Sequence, residues 1–324
     1  MSVTQNEATT ATPARVDKIV DPVINIENLH VSYGDVQAVR DLSLQVKQGE
    51  IFGLVGPNGA GKTTTLSAIE GIVRPTQGTV TVLGYNVQKD PTEVKKRLGI
   101  SLQSTSFFDD LKVWELIRLY AGLYEVYLSK TQIMDLLTRF ELQDKANVLA
   151  EQMSGGQQQR LALALAIANG PQIVILDEPT TGLDPQARRA VWDIVRALRN
   201  EGHTVLLTTH YMEEAEQLCN RVGIIDDGQL IALDTPGGLI NSLKADSLIS
   251  ATIPVPLADV LELPSVTKAR YDGDRLLIES SNAHASVMGL QRLAVAQEKL
   301  LTDLTIKQPD LEDVFIALTG KKIR

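Results

Sequence analysis

One cysteine, Cys219, occurs in 324 residues. An internal disulfide is therefore excluded, and the composition suits a reducing compartment. By itself the thiol reads as a small buried apolar side chain. No run of 18 or more apolar residues occurs, so no segment is expected to cross a bilayer as a helix, and any membrane role falls to a partner. Basic residues do not predominate: 31 against 40 acidic ones give a net charge of −9, which argues against a chain built to grip nucleic acid. Residues 1–21 are rich in Thr and Ala and lack the apolar stretch of a secretory leader; a flexible N-terminal tail is expected there. Neither a long repeat nor a sustained heptad pattern is present. With 44% hydrophobic and 22% charged residues the chain is globular. Its length suits one large domain plus a small one, or two comparable ones.

Residues 24–33 and 42–46 alternate apolar and polar side chains, as half-buried strands do. Residues 51–55 (IFGLV) are almost wholly apolar, as expected of a buried central strand. A glycine-rich loop follows, then a helical stretch over 62–72. Strands are predicted at 79–83 and 97–103, and 111–168 reads as mostly helical. Buried-strand runs return at 173–176 and 204–208. Between them Ala187, Ala190, Val191, Ile194, Val195 and Leu198 share one helical face. Asp184 is placed to cap that helix, with Pro185 at its first position. Residues 222–226 and 229–233 flank Asp227-Gly228, a hairpin signal. Around residues 239–244 the character changes. Short strands are predicted at 250–253, 268–271 and 275–279, with a turn at Asp272-Gly273, and a helix over 283–297. The whole reads as an α/β domain followed by a small C-terminal α+β domain.

Gly56-Pro57-Asn58-Gly59-Ala60-Gly61-Lys62-Thr63, followed by Thr64, fits G-x-x-x-x-G-K-[ST] directly after a strand and at the start of a helix. Glycines let backbone N–H groups turn inward around phosphate oxygens. The helix N-terminus adds its positive end. Lys62 is placed to reach the β and γ phosphates, and the Thr63 hydroxyl to ligate Mg²⁺. A second motif closes the apolar strand at 173–176 with two acids. Asp177 sits where a strand end can hold Mg²⁺. Glu178 is placed to orient or deprotonate an attacking water.

Between these motifs lies Met153-Ser154-Gly155-Gly156-Gln157. The three, in this order and spacing, resemble the motif set of ATP-binding cassette (ABC) proteins over about residues 24–233. Met153 stands where leucine is usual, a swap that conserves volume. The resemblance implies a phosphate-loop NTPase fold over 22–240: a mixed-sheet core, an antiparallel β subdomain and a helical subdomain over about 104–168. It leaves 245–324 as an accessory domain. ATP and Mg²⁺ are the implied cofactors. Carried over by position, it implies that Tyr33 stacks on adenine and that Gln103 senses Mg²⁺ and the attacking water. Ser154, Gly155, Gly156 and Gln157 close on the γ-phosphate held by a second subunit, Asp184 meets that subunit, and His210 contacts the γ-phosphate. Taken alone, these residues have plainer readings. Tyr33 equally suits a core, Ser154 with Gln157 an everyday capping box, and Gln103 a polar strand end. Asp184 can be both cap and interface. A lone histidine is more often structural, but His210 follows the carboxyl end of a parallel strand, where such sheets bind ligands.

The implied partners are a second copy of this chain, joined through ATP, and a separate multi-span membrane permease that holds the pair at the cytoplasmic face of the membrane. In the family, residues 103–115 help form a groove for a helix of the membrane subunit; Phe107, Phe108 and Trp114 either face that groove or pack the helical subdomain. Asp310-Leu311-Glu312-Asp313-Val314-Phe315, then Leu318-Thr319-Gly320, resemble the tail of daunorubicin-resistance-type drug-exporter ATPases, which implies export of a drug-like or lipid-like cargo. The structural reading of Val314, Phe315 and Leu318 is packing of a last helix. The alternatives are a cassette ATPase acting on ribosomes or DNA, and a regulatory module without turnover. One cassette per chain and no long coiled coil argue against the first. Glu178 and His210 argue against the second.

Overall fold

The computed structural model describes residues 21–101, 107–108 and 110–321. Residues 1–20 of the tail expected over 1–21, and the position Gln103, lie outside these residues. The chain begins with a hairpin, β1 (Ile24–Tyr33) and β2 (Val36–Val46). The buried strand β3 (Ile51–Val55) leads into α1 (Lys62–Ile69). Then come β4 (Gln77–Val82), β5 (Tyr85–Asn86), α2 (Pro91–Lys95) and β6 (Leu98–Ser101). The helical region holds α3 (Val113–Leu123), α4 (Lys130–Arg139) and α5 (Gly155–Ile167). β7 (Ile173–Asp177), α6 (Pro185–Asn200), β8 (Thr204–Thr209) and α7 (Met212–Leu218) follow. A second hairpin, β9 (Arg221–Asp226) and β10 (Gln229–Asp234), precedes α8 (Pro236–Ser242). The last part is β11 (Ser247–Thr252), α9 (Leu257–Leu261), β12 (Val266–Asp272), β13 (Arg275–Ser280), α10 (Ala283–Ala296), β14 (Thr302–Lys307) and α11 (Leu311–Thr319).

Three sheets result, ordered β2-β1-β4-β5, β10-β9-β3-β8-β7-β6 and β12-β13-β11-β14. The first and third are antiparallel. The second is parallel except at β10. β3, β7 and β8 are buried on both faces, which is why their sequences read as continuous apolar runs. The faces still alternate. Phe52, Leu54, Ile173, Ile175 and Leu206 join a cluster beneath the first sheet. Ile51, Val55, Val174, Leu176, Val205 and Leu207 join one beneath the helices. Each fully buried side chain of this kind contributes roughly 1.5–3 kcal/mol.

Where elements end differently from expectation, a local cause is visible. The helix predicted over 62–72 stops at Ile69 because Gly71, at φ +73°, takes the left-handed terminating position. β2 begins six residues before the expected 42, and its register shifts against β1 disguise the alternation. The 111–168 stretch breaks at Glu125 and Glu141, both left-handed. In α6, Asp184 caps as expected, accepting the Gln186 and Ala187 N–H groups at 2.8 Å. The Asp227-Gly228 turn forms with both residues at positive φ.

The small third sheet has its own cluster of buried side chains with α9 and α10, including Ile249, Ile278 and Leu290. α11 does not join it. Leu311, Val314 and Phe315 are buried in the cluster under the helices, against α7 and α8. Beyond α11, Lys321 reaches back to Asp226 at 2.6 Å and Asp227 at 3.2 Å. No helix among the described residues is long and apolar enough to cross a membrane.

Candidate functional site

Parallel pairing brings three strand ends together, with Val55 beside Thr209 and Asp177 beside Thr208. The loops that leave β3, β7 and β8 therefore share one rim. From β3 leaves the glycine-rich loop. A Cβ on Gly56 would stand 2.1 Å from the Ile225 carbonyl oxygen, and one on Gly61 2.5 Å from that of Ala38. Both obstacles are backbone, so only glycine fits at either position. The loop is also held from outside: Gly228 N–H donates to the Ala60 carbonyl at 3.0 Å, and Arg40 N–H to that of Gly228 at 2.8 Å.

Lys62 opens α1 with its side chain 4% exposed. Its ammonium donates to the carbonyls of Gly56 at 2.8 Å and Pro57 at 3.1 Å, and lies 3.3 Å from Glu178 Oε1. The Thr63 hydroxyl donates to Asp177 Oδ2 at 3.0 Å. The Thr208 hydroxyl donates to Asp177 Oδ1. Glu178 Oε2 receives the Thr181 hydroxyl at 3.1 Å. It also faces His210 Nδ1 at 3.2 Å, within ion-pair distance. Burial works to raise the Glu178 pKa. The Lys62 charge, then His210 and the Thr181 hydroxyl, outweigh it, and the carboxyl sits below its ordinary value. An ionised carboxylate at a strand end, beside a lysine and a histidine, is equipped to take a proton from water. The Thr63 hydroxyl and Asp177 carboxylate are hard oxygen donors already in contact, and such donors fit Mg²⁺, which binds through few carboxylates plus substrate phosphates.

The structure thus brings Lys62, Thr63, Asp177, Glu178 and His210 together. Tyr33 ends β1 and is 52% exposed. Ser154 caps α5 in a reciprocal box: its N–H donates to Gln157 Oε1 at 3.0 Å, and Gln157 N–H to its hydroxyl at 3.4 Å. Ser154 and Gly155 are exposed, and nothing lies near the space a Gly155 Cβ would fill. No hydrogen bond or ion pair among the described residues joins Ser154 or Gln157 to the glycine-rich loop. Asp184 is likewise exposed. Thr181 and Thr208 were not foreseen. Threonine is common in strands and turns; the partner of Thr208 is fixed by strand pairing, and that of Thr181 by the turn three residues after Glu178.

Away from this rim, α3 and α4 border a groove of about 1060 Å³ lined by Trp114, Leu119, Leu123, Tyr127 and Met134. Phe107 is half-buried against the main cluster, Trp114 touches both cluster and groove, and Phe108 is 57% exposed.

The family described as ABC transporter matches residues 39–181. The linearmycin resistance ATP-binding protein LnrL of Bacillus subtilis (strain 168) is 35% identical over 310 residues, 93% of this chain and 100% of its own length. The Nod factor export ATP-binding protein I of Paraburkholderia xenovorans (strain LB400) is 37% identical over 312 residues, covering 94% and 99%. Among solved structures, the dimeric structure of a bacterial ABC transporter cassette superposes with a TM-score of 0.60 at 29% identity, covering 65% of this chain and 98% of that one.

Proposed function

The chain belongs to the ABC transporter ATP-binding proteins, and from that premise we propose that it hydrolyses ATP as the paired motor subunit of an exporter whose permease is a separate membrane protein. The observation that carries this reading is the meeting of Lys62, Glu178 and His210 at the ends of β3, β7 and β8, with Asp177 bonded to Thr63 beside them.

In the proposed reaction the loop from Gly56 to Thr64 wraps the phosphates of ATP, Tyr33 stacks on adenine, and Lys62 neutralises charge on the β and γ phosphates. Thr63 and Asp177, with Gln103 as the family resemblance implies, would hold Mg²⁺, which when bound would offset the negative charge of the phosphates. Glu178 takes the proton of a water whose oxygen attacks the γ-phosphorus. The bond to the bridging oxygen breaks, ADP departs with that electron pair, and phosphate remains. His210 steadies the γ-phosphate. Glu178 is ionised at neutral pH, its carboxyl held below the ordinary value against burial by Lys62 and His210, and it is therefore able to accept a proton.

The exposed tip of α5 supports pairing. Its first N–H groups and open glycine suit the γ-phosphate held by a second copy, with Asp184 at the seam. Closure on ATP and release after hydrolysis form a population shift between two arrangements. The groove beside α3 is proposed to seat a helix of the permease, which would hold the pair at the cytoplasmic membrane face. Residues 22–240 are proposed as the nucleotide-binding domain, with residues 104–168 as its helical subdomain; of the accessory domain expected over 245–324, the last helix, α11, packs instead into the core of the first domain. The relatives are named for linearmycin resistance and Nod factor export; for this chain a drug-like or lipid-like cargo is proposed.

Glu178→Gln tests the reading. With Mg-ATP the variant is expected to elute as a closed dimer on size exclusion while turnover falls about 10²- to 10⁴-fold, the contribution of a positioned base. Turnover at the wild-type rate would remove Glu178 from this role.

A further inference from the structure

Thr208 belongs to no motif, and the reaction as written above does not use it. It is the penultimate residue of β8 and fully buried. Valine is the commoner occupant of such a position, since a buried hydroxyl is costly unless it is bonded. This hydroxyl is bonded twice. It donates to Asp177 Oδ1 and accepts the Glu178 backbone N–H at 3.0 Å. The Thr208 carbonyl stands 3.2 Å from the same N–H.

Both acids need such a hold. Glu178 has φ +49°, a left-handed backbone that an ordinary side chain keeps only when its surroundings over-determine it. Asp177 has Thr63 on its other oxygen, so the two hydroxyls fix both ends of the carboxylate and set its plane. Sheet register makes this possible: Asp177 lies directly beside Thr208 in the parallel ladder.

We propose that Thr208 is a positioning residue for ATP hydrolysis, its hydroxyl tying the carboxylate of Asp177 to the backbone of Glu178 so that metal ligand and base keep one fixed relation. This rests on the roles given to those two acids under Proposed function. Thr208 touches neither nucleotide nor water in this scheme and acts only through its neighbours.

The test compares full-length wild type, T208V, T208S and E178Q by steady-state ATPase kinetics, thermal melting and Mn²⁺ binding with ATP, read by electron paramagnetic resonance. T208V keeps the volume and removes the hydroxyl. Its kcat is expected to fall about 10- to 100-fold and its Mn²⁺ affinity by about tenfold, as when the outer partner of a metal ligand is lost. KM for ATP should move less than about threefold, because nucleotide binding is not the affected step. T208S restores a hydroxyl and should recover kcat to within about threefold of wild type. If T208V retains both kcat and Mn²⁺ affinity while E178Q is inactive, the proposal is overturned and the function stands. If E178Q itself turns over normally, the assignment of Glu178 fails, and the Mn²⁺ affinity of T208V still decides whether Thr208 sets Asp177. Should T208V not fold, T208C takes its place, with a loss of kcat and Mn²⁺ affinity expected and their retention overturning the proposal.

Discussion

Glu70 follows the last residue of α1 and is 3% exposed. Burial first, and the Asp177 carboxylate second, push its pKa from 4.5 up to about 7. The folded state therefore keeps a proton that the unfolded chain releases above about pH 4.5. Glu70 contributes its full stability below that value and loses it as pH rises to about 7. Glu70→Gln removes the dependence. Relative to wild type, the variant should gain stability between pH 5 and pH 8, by at most about 3 kcal/mol. Urea unfolding in metal-free buffer at the two pH values measures this, and an equal difference at both would contradict it. Glu70 also marks the limit of sequence reading at this scale. The loop from Gly56 to Thr63 and the pair Asp177-Glu178 are legible because their chemistry is contiguous in the chain. Glu70 and Thr208 acquire theirs from neighbours about a hundred and about thirty positions away, where composition carries no signal.

Among elements, β3, β7 and β8 are legible because strands buried on both faces admit little but apolar side chains. β14 gives no such signal: its residues are mostly exposed and it pairs only with β11. Short elements such as β5 and α2 depend on what packs over them. α11 is intermediate. That a last helix packs there is readable, but not its capping box, in which Asp310 accepts the Asp313 N–H at 3.0 Å and Asp313 the Asp310 N–H at 3.1 Å, nor which core it joins. It is seated on α7, the helix that begins two residues after His210. Phe315→Ala leaves a hole in the cluster shared with Leu218 and Leu239. A loss of about 3–5 kcal/mol is expected on urea unfolding, and a loss under about 1 kcal/mol would mean the helix is not packed there.

For the whole molecule, the two faces of the six-stranded sheet divide the labour. One packs the antiparallel sheet, the other the helices, and the site sits on the rim between them. The groove beside α3 lies away from that rim, so chemistry and docking should be separable by mutation. Phe108→Asp places a charge at an exposed position near the start of α3. ATPase activity of the isolated subunit is expected to stay within about twofold, because exposed substitutions seldom disturb a fold. Transport in vesicles with the permease should be lost, and normal transport would detach Phe108 from docking. The Asp227-Gly228 turn has a bearing on engineering. Its sequence is that of a disposable surface loop, where an inserted tag is usually tolerated. Yet Gly228 is bonded to Ala60 and to Arg40, and Asp227 pairs with Lys321. Splicing foreign sequence there would unfasten the nucleotide loop, the first hairpin and the chain after α11 at one stroke. A safer point of insertion is the β12–β13 turn, where Asp272, Gly273 and Asp274 are exposed and nothing crowds the glycine.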